Sequence, residues 1–146
     1  MAKIVAVCLS ERRGTPKRDV QEGWLREDYG LVGDCHAGDP VRQVSLLPLE
    51  SVLRMRERGF DVEPGSFAEN LTVEGLDFSQ LKKGVRLQVG EVVLEVSQLG
   101  KKCPEPCEVS RRIGTCIMPK EGVFARVVKG GRVRVGDELR VLEGPR

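Results

Sequence analysis

The chain has 146 residues, 40% hydrophobic and 32% charged, which is enough apolar material for one core without disulfide or metal staples. Its 24 basic and 22 acidic residues leave a net charge of +2, and aromatics make up only 4%. That balance excludes a strongly basic nucleic-acid binder and leaves few platforms on which bases could stack.

In chain order, Lys3 to Leu9 reads as a strand buried on both faces. Its apolar run is too short for a secretory segment or a membrane span, so a cytoplasmic protein with no membrane partner is expected. In that reducing compartment, five cysteines read as thiols, metal ligands or reactive groups rather than a disulfide framework. Ser10 to Thr15 is a turn, Val20 to Leu25 a second strand, and Tyr29 to Pro40 an irregular stretch rich in Gly and Asp. Val41 to Leu47 is a strand candidate. The clearest helix runs from Pro48 to Arg58, with proline at its first position, Leu49, Val52 and Leu53 at helical spacing, and Gly59 as its stop.

Leu71 to Val73 is a short strand. Val85, Leu87 and Val89 alternate with polar residues, as do Val92, Leu94 and Val96, and Gly90-Glu91 joins the two runs as a hairpin. Val123 to Val128 and Val133 to Val135, joined through Lys129-Gly130-Gly131, read as a second hairpin. Glu138 to Leu142 is the last strand. Seventeen glycines and eight prolines between short Val- and Leu-rich runs point to a sandwich or a barrel. With no internal repeat and no low-complexity linker, residues 1–146 are read as a single domain.

The segment Cys103-Pro-Glu-Pro-Cys107 interrupts this β pattern, and Cys116 follows nine residues later. The prolines forbid a regular strand, and Lys101, Lys102, Arg111 and Arg112 place cations around the thiols. Three readings stand side by side: a reactive thiol, a redox pair, or a zinc site of Cys103, Cys107 and Cys116 completed by Cys35 or His36. Cys8, in an apolar strand, reads as core, and Cys35 is open between core and ligand.

His36 is the sole histidine, in Gly33-Asp34-Cys35-His36-Ala37-Gly38. Glycines there let backbone N–H groups face an anion, and Arg42 and Gln43 follow as candidate donors to a phosphate or carboxylate. Glu69 and Asn70 form a second polar turn, which also reads as an ordinary turn cap beside a solvated charge. Neither a phosphate-cradling loop, a dinucleotide fingerprint nor a catalytic Ser-His-Asp spacing is present.

These pieces, in order, resemble the MOSC domain, the C-terminal domain of molybdenum cofactor sulfurases. The resemblance rests on Gly30-Leu31-Val32-Gly33-Asp34 with His36, Arg42-Gln43-Val44, Pro64-Gly65-Ser66-Phe67, Glu69-Asn70-Leu71, Gly75-Leu76, Leu81 with Gly84, Val89-Gly90 and the cysteine after Gln98. Gly114 to Val128, with Cys116 to Arg126 inside it, looks like the short stand-alone bacterial members. The resemblance implies a mostly β fold, a closed β-barrel-like domain of short antiparallel strands with one or two short helices. It implies a role in handling the molybdenum cofactor, molybdopterin, with Cys103 as the residue that carries sulfur or contacts the metal, and Cys107 and Cys116 as accessories. The cofactor pocket would be lined by Asp34, His36, Arg42, Gln43, Glu69 and Asn70. In full sulfurases this domain is joined to a pyridoxal-phosphate cysteine desulfurase. The present chain is too short to include one, so pyridoxal phosphate would belong to a partner desulfurase, and a molybdenum enzyme would be the recipient. The alternative is a non-enzymatic interaction module stabilised by zinc or by thiols.

Overall fold

The alternation between Val85 and Val96 does build a hairpin, and that hairpin is one wall of a closed barrel. The computed structural model describes residues 2–101 and 108–142. Its strands are β1 (Ala2–Leu9), β2 (Arg18–Asp19), β3 (Glu22–Arg26), β4 (Gly30–Leu31), β5 (Val44–Pro48), β6 (Leu71–Glu74), β7 (Arg86–Val89), β8 (Val92–Leu99), β9 (Val123–Lys129), β10 (Gly131–Arg134) and β11 (Glu138–Val141). The helices are α1 (Leu49–Glu57), α2 (Glu108–Ile113) and α3 (Met118–Glu121), with a single 3₁₀ turn at Phe78–Gln80.

The barrel runs β11-β7-β8-β9-β5-β6-β1 and closes by pairing β1 with β11, Ala2 opposite Leu139. Every pair in this ring is antiparallel except β5 with β6, which lie parallel because α1 returns the chain to the same end. The inward positions of the strands, among them Ile4, Leu46, Leu71, Leu87, Leu94 and Ala125, fill the interior. Each buried Leu or Ile there contributes roughly 1.5–3 kcal/mol of transfer free energy. A second apolar cluster lies outside the ring, where Val52, Met55, Val109 and Met118 of the three helices pack on Leu47, Phe67 and Phe124.

Three expectations change. The stretch around Lys129-Gly130-Gly131 is not a hairpin turn: β9 pairs with β8 and β5, while β10 leaves the barrel and pairs with β3. The glycine serves close approach instead, since a Cβ on Gly130 would lie 2.6 Å from the Leu25 carbonyl oxygen. The strands β10, β3 and β4 thus form a separate small sheet. Along α1 the buried face is Ser51, Val52 and Met55, and Leu53 points outward at 39% exposure. Pro48 precedes the helix as the residue capping its start, one position earlier than expected. The short helices α2 and α3 give no periodic signal at six and four residues.

One end of the barrel gathers the loops. Lys17 N–H donates to the Gly65 carbonyl (2.8 Å), Cys35 N–H to Ser10 (2.9 Å), Cys8 N–H to Asn70 (2.7 Å) and Val109 N–H to Gly14 (3.2 Å). Four stretches far apart in the chain are thereby fixed side by side.

Candidate functional site

The loop after β1 and the turn after β4 meet around a buried ammonium group. Lys17 Nζ lies 2.7 Å from Asp34 Oδ1, and both side chains are fully buried. The same nitrogen lies 3.1 Å from Ser10 Oγ, 3.3 Å from His36 Nδ1 and 3.6 Å from Cys35 Sγ. An ammonium has three hydrogens, so four acceptors compete for them. Cys35 Sγ and His36 Nδ1 are also 3.4 Å from each other.

Asp34 organises this group. Its Oδ1 accepts from the Ser10 amide (3.1 Å) and its Oδ2 from the His36 amide (3.1 Å). Burial pushes the Asp34 carboxyl up, but the His36 side chain, the Lys17 charge and hydrogen bond and the Ser10 amide together outweigh it. The carboxyl is held well below the usual carboxylate range. The donor atoms of Asp34, Cys35 and His36 lie within 4.8 Å of one another, close enough to hold a metal ion. Lys17 Nζ already supplies a positive charge among them.

The His36 side chain is 22% exposed and lines a cavity of about 360 Å³. The same cavity is lined by Cys116, Thr115 and Lys101, with Phe67, Phe124 and Met118 as apolar walls. Arg42 reaches its edge indirectly, with its guanidinium carbon 6.0 Å from the centre of the Phe124 ring. The structure therefore joins His36 to Cys116, which are 80 positions apart in the numbering. Cys103 and Cys107 lie outside the described residues.

The other expected pocket residues have structural partners. Gln43 is buried, donates to Asp28 Oδ1 (3.0 Å) and accepts from the Val127 amide (3.0 Å). Asn70 accepts from the Ser45 amide (2.9 Å) and hydroxyl (3.2 Å) and donates to the Cys8 carbonyl (3.0 Å). Glu69 is fully buried rather than solvated: Oε2 accepts from the Thr72 hydroxyl at 2.8 Å, and Oε1 has no partner among the described residues. Burial pushes the Glu69 carboxyl up, against the weaker downward pull of nearby amides and Thr72. The same burial, helped by Glu69, pushes the Cys8 thiol up, which agrees with its reading as core.

The glycine-rich turn spends its amides internally. Asp39 Oδ1 accepts from the Val41 amide (2.8 Å) and the Arg42 amide (2.7 Å), as Asp34 does from His36. These amides are therefore engaged by the turn's own carboxylates rather than held open for an outside anion. Burial pushes the Asp39 carboxyl up, but the two amides and the charges of Arg42 and Arg13 bring it below its ordinary value.

The sequence model of the MOSC domain matches residues 33–140. The chain belongs to the MOSC domain family. Among curated protein sequences, none matches it. Solved structures do: the YuaD protein of Bacillus subtilis has a TM-score of 0.77 at 20% identity, over 97% of this chain and 96% of that one. YiiM of Geobacillus stearothermophilus gives 0.75 at 21% identity, over 98% of this chain and 76% of that one. YiiM of Escherichia coli gives 0.69 at 23% identity, over 98% and 69% respectively. At these identities the likeness is one of fold. The MOSC family is associated with proteins related to the molybdenum cofactor. Among the described residues, no helix of this MOSC domain is long and apolar enough to cross a membrane.

The missed residues are Lys17 and Ser10. Lys17 sits in a run of charges that reads as a solvated loop, and nothing local marks it as buried. Its partner Asp34 is 17 positions away, and only the crossing of two loops brings them together.

Proposed function

We propose that this MOSC domain handles the molybdenum cofactor, either binding it or carrying sulfur on a cysteine for delivery to a molybdenum enzyme. The observation that carries the reading is the 360 Å³ cavity that the site histidine, His36, and a thiol, Cys116, both line. The chemistry of its lining suits an anionic pterin: Lys101 and His36 offer charge or hydrogen bonds, Ser45, Ser110 and Thr115 offer hydroxyls, and Phe67 and Phe124 offer apolar faces. When bound, the cofactor would supply a redox-active molybdenum centre with room for a sulfur ligand. Cys103 is the sulfur-carrying residue in this reading, and Cys116 is a thiol that lines the cavity. A cysteine desulfurase is the sulfur donor, in a reducing cytoplasmic setting.

Mass spectrometry after incubation with a cysteine desulfurase and cysteine tests this, wild type against Cys103→Ser. Added sulfur on a cysteine, or a pterin that co-purifies, is expected. Neither one appearing would sink the proposal.

A second reading, a zinc-stabilised interaction module, draws on the closeness of Asp34, Cys35 and His36. It competes with Lys17, whose ammonium already holds Asp34 at 2.7 Å. Elemental analysis separates the two: about one zinc per chain, lost on substituting Cys35 and His36 or on substituting Cys103 and Cys107, would favour the module.

A further inference from the structure

Cys35 lines neither cavity itself, but two residues in contact with its thiol do. Ser10, whose hydroxyl is 3.8 Å from Cys35 Sγ, lines one of about 410 Å³, and His36, whose Nδ1 is 3.4 Å from it, lines the 360 Å³ cavity. Cys35 itself is half-buried, unlike Cys8, which is sealed in the core. Its three neighbours have complementary chemistry. Lys17 brings a fixed positive charge, His36 a nitrogen able to pass a proton, and Ser10 a hydroxyl.

The arrangement has the donor set of a metal site with the cation covalently attached. A metal would need to displace Lys17 from a hydrogen-bonded ion pair that is fully buried on both sides. Three hydrogens are shared among four acceptors, so at any moment one of them is without the ammonium's hydrogen bond. The sulfur is also the weakest hydrogen-bond acceptor in the group, which leaves it available to react.

We propose that Cys35 is a sulfur-accepting thiol that takes sulfane sulfur from a persulfide or polysulfide, with Lys17 and His36 as its positioning residues. This rests on the sulfur-carrying reading above and adds a second acceptor to it. In the step, Cys35 Sγ attacks the terminal sulfur of the donor. The new Sγ–S bond forms as the donor's own S–S bond breaks, and the electron pair leaves with the donor sulfur. The thiol proton passes through His36 Nδ1 to that leaving sulfur, so a thiol and a persulfide exchange with no net oxidation. The Lys17 ammonium lies where it meets negative charge developing on sulfur during the exchange.

The test uses the whole protein and inorganic tetrasulfide, followed by peptide mapping of every cysteine under non-reducing conditions. The Cys35 peptide should gain the mass of one sulfur atom. His36→Gln, which keeps the side chain polar, should slow loading at Cys35 by about tenfold or more. Sulfur on Cys103 or Cys116 with none on Cys35 would overturn the role of Cys35 and leave the sulfur-carrying reading intact. Sulfur on no cysteine would overturn both. Equal loading of Cys35 in wild type and His36→Gln would remove His36 from the step. Because the first readout is made on the wild-type chain, it does not depend on any variant folding.

Discussion

Lys17→Met removes the buried ammonium while keeping most of the side-chain volume. At 2.7 Å and an effective dielectric constant of about 20, the attraction between Lys17 and Asp34 is about 6 kcal/mol. Desolvation of both groups cancels much of that, so the intact pair contributes little net stability. The variant is different, because Asp34 keeps its charge in a fully buried position and loses the ammonium that touches it. Such a loss costs about 3–5 kcal/mol, or about 10–15 °C in Tm for a chain of this size. The pH dependence gives a second reading of the same cause. In the wild type the Asp34 carboxyl is held below its ordinary value, so its contribution is present above that value and is lost as pH falls through the folded-state value. In Lys17→Met the lysine's charge and hydrogen bond no longer oppose the burial that pushes Asp34 up, although His36 and the Ser10 amide still do, so the carboxyl takes a proton at higher pH than in the wild type. The deficit of the variant should therefore shrink as pH is lowered. Urea unfolding of both proteins between about pH 4 and pH 8 measures this. A deficit below about 1 kcal/mol, the worth of a solvated pair, would refute the reasoning, as would a deficit independent of pH.

Other outcomes follow from the same geometry. Zinc should leave the Tm of the wild type unchanged and raise that of Lys17→Met, where the donor atoms of Asp34, Cys35 and His36 are left without the lysine's charge; thermal unfolding with and without the metal decides this. Glu69→Gln should flatten a pH dependence: the Glu69 carboxyl is pushed up by burial, so the wild type loses stability as pH rises above the ordinary glutamate value, and the variant should not. Chemical denaturation across that range is the check. Asn70→Ala removes three hydrogen bonds that tie β1 to β5 and should cost about 2–4 kcal/mol in denaturant unfolding. Gly65→Ala places a Cβ 2.2 Å from the Lys17 carbonyl oxygen at a φ of +93°, so the Lys17 loop must move. Its effect on tetrasulfide loading at Cys35 should follow that of His36→Gln, read by the same peptide mapping.

The barrel was legible because its strands alternate: inward Val85 to Val96 and the apolar runs of β1 and β9 carry their burial in their own order. Pairing was less legible. The glycines at 130 and 131 look like a turn, yet Gly130 allows the close approach of β3, a partner about a hundred residues earlier, and Gly131 that of the Glu91 side chain. In the site, His36 and Asp34 stood out through the glycines around them. Lys17 did not, because a lysine between Pro16 and Arg18 carries no local sign that both its charge and its stem are enclosed. Glu69 and Asn70 were visible as a polar turn, but their burial depends on Ser45, Cys8 and Thr72 from three other strands.

The closure of β1 on β11 sets an order of events during folding. Ala2 and Lys3 have no partner on one side until Leu139 and Glu138 arrive. Until then β1 and β7 both present open sheet edges, each a template for pairing with another chain. The contact that seals them is among the most distant in sequence, so it is entropically late and slow relative to the β7–β8 hairpin. A nascent or partly unfolded chain of this protein is thus most prone to associate along those two edges, and a substitution that weakens β11 raises that risk before it alters the cavity.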